Sequence, residues 1–90
     1  MGITLLQRVD HSRNMARSYE LSVQLGLFGD VALTRHWGRI GSAGQTREYW
    51  FDSEDSAVKE ADMILRQKLR KGYVAKSIDG QVGAPLRLSA

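Results

Sequence analysis

The residues best placed to do chemistry lie in one stretch, Arg35-His36-Trp37-Gly38-Arg39, with Arg47 a little farther on. In an extended strand alternate side chains share a face. Arg35, Trp37 and Arg39 therefore project from one side, each about 7 Å from the next. Guanidinium groups grip phosphates through paired N–H bonds, and an open aromatic ring can stack on a base or a sugar. Gly38 leaves a gap beside Trp37 through which another backbone or a ligand can come close. A second reading is a core tryptophan on which an arginine stacks without any ligand. Spacing alone leaves both open, and a bulge in the strand would part Trp37 from Arg39. If residues 41–44 form the hairpin turn, Arg47 is expected near Arg39 across the ladder. Two facing arginines repel unless an anion or an acid lies between them. Glu48 projects from the opposite face of the same strand, which favours an anion.

Other chemistries find little support. There is no cysteine, which removes disulfides, thiol nucleophiles and Cys-based zinc sites together. His11 and His36 have no metal-ligand spacing, and no Gly-x-Ser-x-Gly elbow occurs. The glycines at 26, 29, 41 and 44 lie between strands, not between a strand and a helix, so they do not build a phosphate-cradling loop. The expectation is a non-enzymatic protein with no catalytic residue, no metal, no cofactor and no small-molecule substrate. The net charge is +3 and the sequence pI about 9.6. Its distribution says more than its size. Residues 1–17 carry Arg8, Arg13 and Arg17 against Asp10. Residues 52–62 carry five acids against Lys59, and residues 66–71 carry Arg66, Lys68, Arg70 and Lys71. A local basic surface is what a phosphate backbone recognises. Arg66, Arg70 and Lys71 are thus candidates for additional phosphate contacts. A helix also gains from acids at its start and bases at its end, which is the plainer account of these charges.

The elements that must position these residues are those of one small α+β domain, a twisted antiparallel meander with one main helix packed on it. Residues 3–9 read as a short strand, followed by a loop with room for one helical turn. From 18 to 25, Tyr19, Leu21, Val23 and Leu25 alternate with polar residues, the mark of a half-buried strand. A loop at 26–30 leads to a strand at 31–40, a tight connection at 41–44 and a strand at 45–51. The helix is expected over about 53–71. Ser53 can cap its start, Ala57, Val58, Ala61, Ile64, Leu65 and Leu69 have helical spacing, and Gly72 suits its end. Tyr73 and Val74 are expected to fold back onto the sheet, closing a domain over 1–74. Residues 75–90 read as a weakly patterned tail with a short strand at 86–88. No apolar run is long enough to span a bilayer and the N-terminus lacks a secretory pattern, so a cytoplasmic location without membrane contact is expected.

The run from Trp37 to Gly41, followed by a small-residue turn, a strand, a capped helix and Lys71-Gly72-Tyr73, resembles the WGR family. So does the upstream Tyr19-Glu20-Leu21. Arg13 to Arg17 and Leu27-Phe28-Gly29 are similar to stand-alone bacterial members. The likeness covers about residues 5–74. It implies an antiparallel sheet with one helix. It also implies nucleic-acid binding, because in poly(ADP-ribose) polymerases a WGR domain helps bind DNA ends or breaks and relays that event to the catalytic part. Carried onto this chain, it puts Trp37 on a ribose and Arg39 on DNA or on a partner domain. These residues include no catalytic, helical or zinc-finger domain for such a relay to reach. The expected site is therefore Trp37, Gly38, Arg39, Arg35 and Arg47, acting on DNA or another nucleic acid. The alternative is a protein-interaction module that meets an acidic partner.

Overall fold

The computed structural model describes the backbone of residues 2–80 and the side chains of residues 2–76. Among the described residues, five strands form one antiparallel sheet in the order β4-β3-β2-β1-β5, with one α-helix on a face and a short 3-10 turn at His11–Arg13 between β1 and β2. The strands are β1 (Gly2–Asp10), β2 (Met15–Leu25), β3 (Val31–Arg39), β4 (Gln45–Phe51) and β5 (Val74–Gly80), and the helix is α1 (Glu54–Arg70). The first four strands run as a meander. The helix then carries the chain across the sheet to pair β5 with β1.

The core lies between sheet and helix. Leu6, Tyr19, Leu21, Val23, Val31 and Leu33 come from the strands, and Ala57, Ala61, Ile64 and Leu65 from α1. The helix is narrow where it sits closest, because two of its four buried positions are alanines. Ser53 caps its start, its hydroxyl accepting from the Ser56 N–H at 3.2 Å. At the other end Lys71 is the cap and Gly72 takes a φ of 98°. The Gly72 N–H donates to the Leu69 carbonyl and the Tyr73 N–H to that of Lys68, which satisfies the last turn.

Two expectations need correction. β2 begins at Met15, earlier than 18, because its pairing with β1 continues through Arg17 opposite Arg8 and Ala16 opposite Val9 to Met15 opposite Asp10. The sheet also runs past residue 74. Where a weakly patterned tail was expected from Ala75, β5 pairs with β1 through to Gly2 opposite Gly80. A register shift between Leu5 and Leu6 places an extra residue in this short edge strand, and that breaks the period-two signal. The strand expected at 86–88 lies outside the described residues.

Candidate nucleic-acid interface

Toward the end of the sheet that carries the turns at 10–14 and 38–44, the helix-side face changes character. Apolar residues give way to arginine on four strands: Leu6 to Arg8, Tyr19 to Arg17, Leu33 to Arg35, and Tyr49 to Arg47. The register makes two rows of them. Arg17 stands opposite Arg8 on one side and Arg39 on the other. Arg35 stands opposite Arg47. With strands about 4.8 Å apart, the Arg8–Arg17–Arg39 row spans roughly 10 Å.

Aromatic rings sit between the rows. Trp37 pairs with Tyr19 across the ladder, and their rings stack with centroids 6.1 Å apart and planes 22° from parallel. Tyr73 meets Tyr19 edge-on. Trp37 is half-buried and packs against the core, so it is neither a sealed core residue nor a free ring. The Arg35 guanidinium carbon is 5.7 Å from the Trp37 ring and 5.6 Å from that of Tyr19. Arg35 is fixed there by hydrogen bonds from Nε to the Tyr19 hydroxyl and from Nη1 to the Tyr49 hydroxyl. From the helix, Lys68 Nζ lies 4.5 Å from the Tyr19 ring centre. These are cation–π contacts.

The local field is positive. Burial, with Lys71, Arg35 and Arg17 nearby, lowers the pKa of Lys68 below its ordinary value. Burial raises the Tyr19 phenol, against the opposing pull of Arg35. Elsewhere Arg13 pairs with Asp10 and Arg66 with Asp62. Among the described residues, none of Arg8, Arg17, Arg35, Arg39, Arg47 or Lys68 meets an acid in an ion pair.

Arg35, Trp37 and Arg39 share a face with no break in register. Arg47, however, lies opposite Arg35 and not near Arg39. The turn takes up residues 38–44, longer than the tight connection read from the sequence, so the ladder closes at Trp37 opposite Gln45. Arg39 is exposed but tethered: Nη1 donates to the Asn14 carbonyl at 3.1 Å, which ties two turns together. Gly38 serves a close approach, but the approaching backbone is the chain's own. A methyl group at Gly38 would fall 2.7 Å from Gly44 Cα. Arg66 is exposed and paired with Asp62 at 2.7 Å, and Arg70 is exposed on the helix side away from the buried stripe. Lys71 is nearer the cluster, close enough to bear on Lys68. Sequence reasoning missed Arg8, Arg17, Tyr19 and Lys68 as members of this surface. Arg17 carried a usable signal, because it continues the Tyr19, Leu21, Val23 face. Arg8 and Lys68 needed the register and the helix position.

A family model described as WGR domain matches residues 3–79. The chain belongs to the WGR domain family. This WGR domain is 48% identical over 68 residues to an uncharacterised protein, y4dW, of Sinorhizobium fredii; the match covers 76% of the chain and 33% of y4dW. It is 36% identical over 42 residues to an uncharacterised protein, YfeS, of Escherichia coli, across 47% of the chain and 17% of YfeS. A solved structure of a Bacteroides fragilis protein shares its fold with a TM-score of 0.67 and 25% identity, over 83% of this chain and 19% of that one. The chain therefore spans a third or less of each of these proteins. Among the described residues no helix is long and apolar enough to cross a membrane, and no group of three metal-ligating side chains occurs.

Proposed function

We propose that this WGR domain is a non-catalytic module that binds nucleic acid on the helix-side arginine surface. The observation that carries the reading is the pair of in-register arginine rows flanking the Trp37–Tyr19 stack, with no acid paired to them among the described residues. Like charges placed directly opposite one another cost stability. An anion above the rows removes that cost. Arginine forks suit phosphate oxygens, and the exposed part of Trp37 offers a surface for a ribose or a base. DNA ends or breaks are the preferred form by likeness to the poly(ADP-ribose) polymerases, with Trp37 on the terminal sugar. Arg35, Arg39 and Arg47 hold phosphate in this reading. Gly38 keeps the turn low beside them, and Lys71 adds charge at the helix end. The pairing of Arg66 and the outward position of Arg70 leave these two a lesser part.

The test is a salt titration of binding to blunt, nicked and single-stranded DNA. Affinity should fall steeply as salt rises. Arg47→Ala should reduce the salt slope by about one. Trp37→Ala should weaken binding by about 1–3 kcal/mol if its ring stacks on the ligand. Absence of binding at low ionic strength would remove the reading.

A second reading, a protein-contact module, is favoured by a different observation. Leu27 and Phe28 are 93% and 92% exposed at the β2–β3 turn, at the far end of the sheet from the arginines. A stoichiometric protein partner recovered from the native cell after nuclease treatment, and lost on Phe28→Ser, would support it.

A further inference from the structure

We propose that the cleft between α1 and the β3–β4 hairpin receives an unpaired guanine base of the bound nucleic acid, an inference that rests on the interface reading above. The cleft measures about 110 Å³ and is lined by Arg35, Tyr49, Phe51, Glu60 and Ile64. Pockets for whole small molecules begin near about 300 Å³. This one holds a fragment, such as one planar base, with the sugar and phosphate outside.

Its chemistry is that of a base pocket. Tyr49, Phe51 and Ile64 supply flat or apolar walls, and two side chains supply polarity. Arg35 is held in place through Nε and Nη1. Among the described residues its Nη2 donates to nothing, so a fixed donor remains. Glu60 is half-buried, and its carboxylate meets no hydrogen-bond or ion-pair partner among the described residues. A carboxylate in such a setting takes N–H donors to offset lost hydration.

The ligand must therefore be planar, with two adjacent donors on one edge and acceptors on another. Guanine carries N1–H beside the N2 amine, which matches both oxygens of Glu60, and carries O6 and N7 for a guanidinium. Adenine and cytosine offer the carboxylate one amino group, and thymine one ring N–H. Watson–Crick pairing occupies the N1 and N2 donors, so the base is an unpaired one. Glu60 also repels phosphate, which reserves the cleft for a base edge. Arg35 belongs to both places: it lines the cleft and stands 5.7 Å from the Trp37 ring. A strand lying on the arginine rows can thus turn one base into the cleft.

The experiment uses the full chain and fluorescence anisotropy with thymidine oligonucleotides carrying one central dG, inosine, dA or dC. The dG oligonucleotide should bind roughly tenfold tighter than all-thymidine. Inosine, which lacks the N2 amine, should lose most of that gain. Glu60→Gln should bring the dG-to-thymidine ratio close to one. A ratio of one in the unaltered protein, or a preference that survives Glu60→Gln, overturns the proposal. Guanosine monophosphate should compete only at much higher concentration than the dG oligonucleotide. Competition at equal concentration would make a free nucleotide the ligand and overturn the chain-bound form. Binding of all oligonucleotides without preference removes the cleft proposal and leaves the interface standing. Binding of none removes both.

Discussion

At the scale of single residues, Gly44 governs where the arginine surface ends. Its φ is 69°, and a methyl group there would collide with the Trp37 carbonyl oxygen. Both the conformation and the contact exclude a side chain. Gly44→Ala should destabilise the domain by about 1–3 kcal/mol in urea unfolding. It should also weaken nucleic-acid binding, because the same turn sets the register of Gln45 opposite Trp37. Lys68 makes a second prediction, of opposite sign in the free and bound states. In the free protein its lowered pKa means that the charged form costs the folded state. That cost is present at neutral pH and fades as pH rises through the lowered pKa toward 10.5. A bound phosphate favours the charged form, so affinity is full below the lowered pKa and falls as pH rises through it. The fall should begin at a lower pH than an ordinary lysine would give. Lys68→Arg should flatten that part of the profile, since arginine keeps its charge throughout. Affinity measured against pH, with unfolding followed in parallel, reads both signs.

At the scale of elements, β1, β2 and β3 set Arg8, Arg17 and Arg39 in a line. Arg17 has a like charge on each side. Replacing it with threonine, a good strand former, removes both repulsive pairs. Arg17→Thr should therefore raise the melting temperature of the free protein while weakening its hold on DNA. The gain should shrink as salt screens the row, since exposed charges interact weakly at high ionic strength. Thermal melts at low and high salt, beside a binding titration, separate the two effects. The elements themselves were largely legible in the sequence. Tyr19, Leu21 and Val23 announced β2, Ser53 and Gly72 bracketed α1, and residues 45–51 formed β4 as expected. What the sequence hid was pairing. Arg47 was expected near Arg39 and stands opposite Arg35, because the length of the turn at 38–44 decides the register. The Arg8–Arg17–Arg39 row joins residues from three strands, and no local pattern reports such a row. The tether from Arg39 to Asn14 was hidden for the same reason. β5 escaped notice because its bulge and its edge position erase alternation.

At the scale of the whole molecule, the two ends of the sheet differ. One carries arginine and stacked rings. The other carries the apolar tip of Leu27 and Phe28. On the two readings proposed above, the surfaces stand at opposite ends of the sheet, so one ligand would not exclude the other.

The position of β5 has a consequence for how the molecule is made. Among the described strands β1 is synthesised before the others, yet its outer neighbour β5 is made after them all, with Gly2 finally pairing with Gly80. Until that strand emerges, an inner strand presents a bare row of N–H and C=O groups, the template on which chains aggregate. Closure across so long a loop is also slow relative to hairpin formation. A chain ended after Tyr73 should keep the meander and the helix but associate with itself, seen as concentration-dependent mass in light scattering. A nascent chain would carry the same hazard for as long as residues 74–80 remain in the exit tunnel, which makes this short strand the natural point for a chaperone to watch.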